Sequence, residues 1–564
     1  MKFNLLSILF FITNFIIAQN NISAEIIYSS YFGGNEGDEA RSIAIDKDDN
    51  FYIFGYTLST DLPTSSNSFQ DTLKGSYDAF ISKFDSSGNH IWTTYIGGTN
   101  VDIASGIKAT NDNYLVLLGY TNSIDFPTTS GAYQTTNAGQ YDVFLIKIDT
   151  GGNLVWSTLF GGIGGELGID ISIDLNNNII IGGQTNSSNF PSTTGAFQPL
   201  PLGGNDAFIA KFNQNGHLLW ATCYGGTSTE DAHAITSDFE NNIIITGMTN
   251  SNDLSISSNA LQSLNNGFFD IYIAKFSPTG NLLWATYFGG TNYDDIYGIH
   301  SDSSSNLYLA GRTSSVDFVT TPNAFQTSKN NGVDACIFKL SKNGELAWST
   351  YLGGDGDDFA DKILIDKNNN VTTLINTLSD TISLPADTIF TNYPLNLEKA
   401  YILTLDSSGV PIWSAYFGGN SIDRAYDFKI VPSGKLFFTG TTESANIPIT
   451  ANAFQNNKDL YVDSYFCIIN SSIFYTDTSN INTITRNNLV QNNISLYPNP
   501  THNTICVENV MKPFYYAIIN TKGEIIKSEI CNNNCIETNY LSSGLYIIEI
   551  LNNEQIYRKK IIKQ

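Results

Sequence analysis

A tryptophan that recurs at a fixed interval constrains the fold of this chain more than any other feature. The six tryptophans are spaced by 64, 64, 64, 64 and 65 residues: Trp92, Trp156, Trp220, Trp284, Trp348 and Trp413. Each stands in an apolar run that ends in Gly-Gly, as in residues 282–290. A seventh copy, residues 28–34, carries Tyr28 in the tryptophan position. A constant period of this length indicates a repeat architecture.

Each copy contains four short strand-like runs, exemplified by residues 41–46, 306–313, 206–212 and 282–288. An Asp/Asn-rich turn follows the first run, a long loop the second and a tight Gly-containing turn the third, so Pro and Gly stand in the connections. Four strands repeated seven times predict an all-β fold, a seven-bladed β-propeller over residues 25–470. Packing of blades around an axis buries the apolar faces that a single blade exposes.

The two ends of the array predict how the ring closes. The first copy begins with only its fourth strand, residues 25–32, and the seventh copy ends after its third strand, residues 464–469. We therefore expect residues 25–32 to complete the last blade, which removes two open strand edges.

Acidic residues recur at two positions of the repeat. The first series lies five residues after the first Gly of each Gly-Gly: Asp38, Asp102, Glu166, Glu230, Asp294, Asp358 and Asp423. The second opens the third strand: Asp78, Asp142, Asp206, Asp270, Asp334, Glu398 and Asp463. Both series fall on one face of the disc, and a Thr recurs at the end of every second strand, as at Thr57.

Two interpretations of these carboxylates are open. They form a rim that binds cations such as calcium or a cationic partner, or they accept hydrogen bonds from loop N–H groups and the recurring Thr. The second is favoured, because a feature present in every blade serves folding. No cofactor is therefore predicted, with calcium kept as an alternative. The sixth copy departs from the pattern, and its divergent loop, residues 380–397, is the candidate recognition surface.

Composition and motifs exclude several functions. A net charge of −25 disfavours nucleic acid, whose binding depends on phosphate neutralisation, and an anionic membrane surface. The five histidines form no His-Glu-x-x-His motif, and neither a Gly-x-Ser-x-Gly elbow nor a phosphate-binding loop is present. Catalytic residues are therefore not assigned. Cys223, Cys336 and Cys467 are expected to be buried thiols, and a Cys531–Cys535 disulfide is left open.

The termini predict export. Residues 1–18, a basic start followed by a short apolar run, are typical of a signal peptide. No later apolar segment has the length of a membrane-spanning helix. Residues 471–493 are a polar linker, and residues 494–564 contain short alternating strands that predict a small Ig-like β-sandwich.

Both parts of the chain resemble known families. The motifs Gly-Gly-x-x-x-Asp, Gly-x-Thr, Asp-Phe-Pro-Thr-Thr, Gly-Ala-Tyr-Gln and Asp-Ala-Phe resemble the bacterial SBBP repeat, over residues 25–475. The tail is similar to the type A C-terminal sorting domain of the type IX secretion system. That similarity rests on Tyr497, Pro498, Asn499, Pro500, Gly523, Gly544, Tyr546 and the basic end 558–560.

The resemblance of the tail implies recognition by the type IX secretion machinery and export from the periplasm to the cell surface or the medium. The leading functional prediction is surface binding or adhesion to a glycan or protein, with the propeller as a rigid disc that presents loops. An extracellular polysaccharide hydrolase or lyase and a structural component of a surface assembly are the alternatives. A monomer is expected.

Overall fold

The chain forms two compact units in the computed structural model, Met1–Thr476 and Asp477–Gln564. The structure describes residues 24–65, 68–366, 368–380, 382 and 397–475 of the first unit and residues 495–497, 504–508, 514–519, 525–531, 535–552 and 555–563 of the second. The predicted signal peptide, linker residues 476–493, most of the divergent loop, and Pro498, Asn499, Pro500 and Gly523 lie outside these ranges. Nothing helical in the described ranges has the length and apolarity needed to cross a membrane.

The first unit is a ring of seven four-stranded antiparallel sheets, which confirms the predicted propeller. Blades one to three contain β2 (Asp38–Ile45), β3 (Phe51–Thr57), β4 (Asp78–Phe84), β5 (His90–Ile96), β6 (Asp102–Ala109), β7 (Tyr114–Thr121), β8 (Asp142–Asp149), β9 (Leu154–Phe160), β10 (Glu166–Ile173), β11 (Ile179–Thr185), β12 (Asp206–Phe212) and β13 (Leu218–Tyr224). Blades four to six contain β14 (Glu230–Ser237), β15 (Ile243–Thr249), β16 (Asp270–Phe276), β17 (Leu282–Phe288), β18 (Asp294–Ser301), β19 (Leu307–Thr313), β20 (Asp334–Leu340), β21 (Leu346–Leu352), β22 (Asp358–Ile365), β23 (Val371–Thr377), β24 (Lys399–Leu405) and β25 (Pro411–Phe417).

The seventh blade joins the two ends of the propeller sequence. It consists of β26 (Asp423–Ile430), β27 (Ser433–Thr442), β28 (Asp463–Tyr475) and, at its outer edge, β1 (Ala24–Phe32). In the β1–β28 ladder Tyr28 lies opposite Ile468, and its ring stacks on Phe466 with centroids 5.6 Å apart. This is the contact expected for ring closure, although β28 runs to Tyr475, beyond the predicted end at 470.

The tryptophans lie on the outer strands and connect each blade to the next. The Trp220 Nε1–H donates to the carbonyl oxygen of Pro278, 3.0 Å away in the hairpin turn of the following blade. Trp92, Trp156, Trp284 and Trp348 make the equivalent bond at 3.1–3.4 Å. At the junction from blade seven to blade one, the Tyr28 ring instead lies against Gly88 of the corresponding turn. Six of the seven junctions therefore share one contact between an aromatic ring and a turn.

A glycine in the turn is required for this contact. Gly280 has φ +84°, a left-handed conformation that side chains disfavour. A Cβ atom built there would lie 3.1 Å from the Trp220 ring. The ring thus packs directly on the backbone of the next blade, which brings neighbouring sheets close together.

The second unit has two sheets that form a small β-sandwich. One contains β29 (Ser495–Tyr497), β30 (Thr504–Glu508) and β33 (Cys535–Glu537), and the other contains β31 (Phe514–Ile519), β32 (Ile525–Cys531), β34 (Gly544–Asn552) and β35 (Gln555–Lys563). Its core includes Ile505, Tyr516, Tyr546 and Ile548.

Cys535 forms its disulfide with Cys506, the residue opposite it on β30, and not with Cys531. The cross-strand register decides this pairing, and a spacing of four residues in the sequence does not reveal it. Cys223, Cys336 and Cys467 are buried thiols, as predicted.

A matched pair of glycine substitutions tests the junction contact. Gly195 has the same φ as Gly280, +84°, but a Cβ there would meet nothing within 4 Å. Gly195→Ala should cost only the backbone strain, about 1 kcal/mol. Gly280→Ala should cost about 1–2 kcal/mol more, because it also displaces the Trp220 ring. Urea unfolding followed by tryptophan fluorescence measures both, and equal losses would refute the proposed role of the contact.

Candidate functional site

The first acidic series opens the first strand of every blade, the strand nearest the propeller axis, which we call the inner strand. All seven of these side chains are buried. Asp38 is fully buried, and its carboxylate accepts hydrogen bonds from the Gly34 N–H at 2.7 Å, the Ser59 hydroxyl at 2.9 Å and the Thr57 hydroxyl at 2.5 Å. The bond from the second Gly of Gly-Gly is present in all seven blades, at 2.6–2.9 Å. These carboxylates therefore fasten the loops, as in the hydrogen-bonding interpretation.

In six of the seven blades the second series links the blade to the Gly-Gly that follows it. Asp78 accepts a hydrogen bond from Gln70 Nε2 at 2.6 Å, and Gln70 Oε1 accepts one from the Gly97 N–H at 3.1 Å. A Cβ on Gly97 would lie 2.6 Å from the Asp78 Cγ and 2.7 Å from an Asp102 carboxylate oxygen. Glycine is needed there because the backbone passes between carboxylates of two neighbouring blades.

Burial next to a second carboxylate raises the pKa of two of these groups. Burial, together with repulsion from Asp78, raises the pKa of Asp102 to about 6. Burial, together with repulsion from Asp38, raises the pKa of Asp463 to about 7. Asp102 and Asp463 therefore take up protons as the pH falls below neutral.

The sixth blade breaks the second series. In the ladder between second and third strands, Asp78 pairs with Thr57, whereas the residue paired with Thr377 is Lys399. The assignment of Glu398 to this series is therefore wrong by one position, because the divergent loop of this blade has a different length. Lys399 Nζ lies 3.3 Å from Asp380, and Glu398 forms an ion pair with Arg424 of blade seven at 2.7 Å.

A β-bulge occurs at the same place in the inner strand of all seven blades. In β2, for example, Ala40 pairs with Gly55 and Ser42 with Phe54, which leaves Arg41 as the extra residue. The equivalent extra residues are Arg41, Ser105, Ile169, His233, Tyr297, Asp361 and Tyr426. Bulges of this kind redirect a side chain and are frequent beside functional sites.

All seven bulge residues line one cavity of about 500 Å³ on the propeller axis. The other lining residues come from the ends of inner and second strands and include Tyr120, Arg312, Phe359, Asn376 and Arg424. The cavity opens toward the face that carries the Gly-Gly connections, because the inner strands begin there. Below the bulges, Lys362 of blade six lies 3.7 Å from Asp170 of blade three, an ion pair that joins two sides of the channel.

Aromatic rings hold two of the arginines in the cavity wall. The Arg41 guanidinium lies over Tyr426, 4.4 Å from the ring centroid, and its Nη2 donates to the Tyr56 hydroxyl at 3.0 Å. The Arg312 guanidinium lies 5.2 Å from the Tyr297 centroid and 5.4 Å from that of Phe359. Cation–π contacts of this kind fix the planes of the guanidinium groups.

A histidine and a carboxylate form a dyad in the same wall. His233 Nδ1 lies 2.8 Å from an oxygen of Asp295, a fully buried carboxylate, and the ring stacks on Tyr297 at 4.8 Å. Burial favours neutral His233, but the Asp295 carboxylate outweighs it and raises the pKa of the ring. Across the cavity, burial raises the pKa of Asp361 to about 7.

The axial cavity and its bulge residues were not predicted from the sequence. The predictions concentrated on positions that repeat, and those positions hold the fold together. The usable signal lies in the one inner-strand position where otherwise similar copies carry Arg, Ser, Ile, His, Tyr, Asp and Tyr. The divergent loop proposed as the recognition surface lies largely outside the described residues.

Comparisons with protein families agree with both units. A β-propeller repeat family model, SBBP, matches residues 27–63, 155–191 and 283–318. A secretion system C-terminal sorting domain model matches residues 495–564.

The individual proteins that resemble this chain have low sequence identity to it. A WD repeat-containing protein of Acanthamoeba polyphaga mimivirus, described as uncharacterized, is 25% identical over 58% of this chain and 29% of its own length. The regulatory protein FlaEY of Caulobacter vibrioides is 21% identical over 51% of this chain and 31% of its own. This chain thus spans about a third of these curated relatives. The crystal structure of the polysaccharide lyase Uly1 has a TM-score of 0.40 at 10% identity, over 80% of this chain and 99% of that one.

Together, the sheets and the tail define an exported β-propeller protein. More particularly, the chain contains SBBP β-propeller repeats and a C-terminal sorting domain of the type IX secretion system. The sorting domain directs it to the cell surface or the medium.

The paired carboxyls predict a pH-dependent stability. Because the folded pKa of Asp102 is about 6, above the ordinary value of 3.8, the folded state binds protons that the unfolded chain does not. Stability should therefore rise as pH falls from 7.5 to 5, by up to about 1.4 kcal/mol per pH unit for each such group. Asp102→Asn should flatten this slope in urea unfolding, and Asp48→Asn, at an exposed site, should not. A slope unchanged by Asp102→Asn would contradict the assignment.

The sorting domain predicts the location of truncated forms. A chain that ends at Thr476 retains the propeller but should accumulate in the periplasm, because the export machinery has no domain to recognise. Residues 477–564 fused to a periplasmic reporter should direct it outward. Cell fractionation with immunoblotting measures both, and surface or medium levels unaffected by the truncation would contradict the prediction.

Proposed function

We propose that the exported propeller is a binding or adhesion protein whose axial cavity receives a sugar unit of an extracellular glycan. The observation that carries this proposal is the chemical asymmetry of the seven bulge residues within an otherwise repeated ring. Positions that serve the fold are nearly the same in every blade, whereas a ligand needs one particular arrangement of groups.

The cavity has the composition of a small-molecule site. Its volume lies within the range of about 300–1,000 Å³ that is usual for ligand pockets. The rings of Tyr120, Tyr297 and Tyr426 offer apolar faces that suit the C–H face of a pyranose ring. His233 and the arginines offer polar groups suited to hydroxyls, so both parts of a sugar find complementary chemistry.

The rigidity of the scaffold also supports binding. Each bulge lies between ladder-paired residues of a sheet whose loops are fastened by buried carboxylates. A site built on such a frame loses little conformational entropy when it binds. Export by the type IX pathway would give it access to glycans outside the cell.

A second candidate function, turnover of the bound polysaccharide, is favoured by the Asp295–His233 dyad. Asp295 holds Nδ1 of the imidazole, and within the described part of the chain Nε2 makes no hydrogen bond. Since His233 lines the cavity, Nε2 would be available as a general base or acid toward a bound sugar. Tyr297, stacked on the ring, is a further proton-bearing group.

A glycan array probed with the full mature chain tests the proposal. The most informative comparison uses a variant in which a larger side chain fills the cavity. Ile169→Trp places a bulky ring in the cavity from blade three, and Leu283→Trp places one on an exposed outer strand. Glycans bound by the parent chain should lose affinity at least about tenfold with Ile169→Trp and keep it with Leu283→Trp. Retained binding with Ile169→Trp would place recognition elsewhere and refute the proposal.

Turnover is measured on every glycan that binds, from newly formed reducing ends and from ultraviolet absorbance of unsaturated sugars. If the second candidate is right, His233→Asn should abolish turnover and leave binding within about threefold, because it removes the proton-transfer group and keeps a polar side chain that can still donate to Asp295. Binding without turnover would leave adhesion as the function and eliminate the catalytic candidate.

A further inference from the structure

The arginines of this chain are distributed very unevenly. The chain has five: Arg41, Arg312, Arg424, Arg486 and Arg558. The propeller contains the first three, and all of them line the axial cavity although they come from blades one, five and seven. The other basic residues of the propeller are lysines. All three arginine side chains of the propeller therefore lie at one site, in a chain whose net charge is −25.

The cavity lining is richer in cationic side chains than the chain as a whole. The lining includes four cationic side chains, those of Arg41, Arg312, Arg424 and Lys362, and two acidic ones, those of Asp361 and Glu398. Because burial raises the pKa of Asp361 to about 7, that carboxyl is only partly ionised at neutral pH. Each of the four cations also has a carboxylate within 4 Å, from Glu39, Asp295, Glu398 and Asp170 respectively. The lining itself nevertheless presents more cationic than acidic side chains to the cavity, in a strongly acidic molecule, and this favours an anion.

The acids that accompany the arginines are less exposed than the guanidinium groups. Arg312 lies 3.5 Å from Asp295, whose side chain has no exposure, while the arginine side chain is 28% exposed. Arg424 is 45% exposed and its partner Glu398 only 12%. Arg41 and its partner Glu39, 3.2 Å away, are exposed to similar extents, 36% and 32%. At Arg312 and Arg424 the carboxylates therefore lie behind the guanidinium groups and leave their other edges toward the cavity.

The hydrogen-bond donors of Arg312 are only partly used. The Arg312 Nε–H is buried and makes no hydrogen bond within the described part of the chain. Its Nη2 donates to the Tyr293 hydroxyl at 3.1 Å. Guanidinium groups bind carboxylates and other oxyanions through pairs of parallel N–H donors, which lysine does not provide. A buried N–H without an acceptor is costly unless a ligand supplies one.

We propose that the axial cavity recognises an acidic sugar through its oxyanion, a carboxylate or a sulfate ester, held by Arg312 or Arg41 beside the aromatic rings. This inference rests on the proposed function of the cavity and adds the charge class of its ligand. The guanidinium groups bind the oxyanion, and the rings of Tyr297 and Tyr426 contact the sugar ring.

Two matched pairs of probes test the proposal by isothermal titration calorimetry on the full mature chain. The first pair is a galacturonate oligosaccharide and its methyl ester, and the second is a sulfated galactan oligosaccharide and its desulfated form. Each pair keeps the sugar skeleton and removes the charge. We expect one charged member to bind at least about tenfold more tightly than its neutral partner. Which pair discriminates identifies the oxyanion as carboxylate or sulfate.

Substitutions locate the binding. Arg312→Gln should weaken binding of the charged probe roughly tenfold or more, and Arg312→Lys should recover only part of it, because lysine restores charge without paired donors. Lys342→Gln removes an exposed cation far from the cavity and should leave affinity unchanged. Unfolding midpoints of all variants show whether each is folded. The affinity of the parent chain should also fall as salt is raised.

The outcomes separate this inference from the proposed function. Equal binding of charged and neutral members would overturn the inference and leave saccharide binding intact. Binding of the charged probe that is unaffected by Arg312→Gln and Arg41→Gln would also overturn it. Binding of none of the four probes would overturn the inference and count against the proposed function as well.

Discussion

The structure depends on the contact between an aromatic ring on the outer strand of one blade and the glycine turn of the next. Because the glycine of the turn has no side chain, the indole packs on the backbone there and its N–H donates to a carbonyl oxygen of the same turn. The contact sets how closely two blades approach, and its repetition at a nearly constant period makes six of the seven junctions alike. Where blade seven meets blade one, Tyr28 takes the same place. The N-terminal strand thereby completes the last sheet, which gives blade seven four strands like the other six.

Buried carboxylates perform a second task that the aromatic contacts do not. They hold the Gly-Gly connections and the long loops on one face, at a cost in desolvation that their hydrogen bonds offset only in part, as the raised pKa values of Asp102 and Asp463 show. With the ring fixed by repeated residues, the bulge position of each inner strand is free to vary. The fold and the candidate site thus use different residues of the same strand, as Asp38 and Arg41 of β2 illustrate.

Much of the fold was predictable because it rests on local patterns. The strand runs, the turns and the shared blade follow from apolar periodicity and from the register of the repeat. The predictions failed where the pairing of two residues depends on the register between segments that are distant in the sequence. A shifted alignment across the divergent loop assigned Glu398 in place of Lys399 to the ladder position. The partner of Cys535 was equally hidden, because Cys506 lies on a different strand 29 residues away.

The sequence by itself determined the number of blades, the closing strand, the residues that fasten the loops and the export signal of the tail, because each repeats or matches a compact motif. Only the tertiary structure decided that Arg41, His233, Tyr297, Arg312 and Tyr426 face one another across an axis. These residues lie up to 385 positions apart and share no motif. Their proximity arises from closing the ring and from a bulge that leaves no signature in the sequence of any single strand.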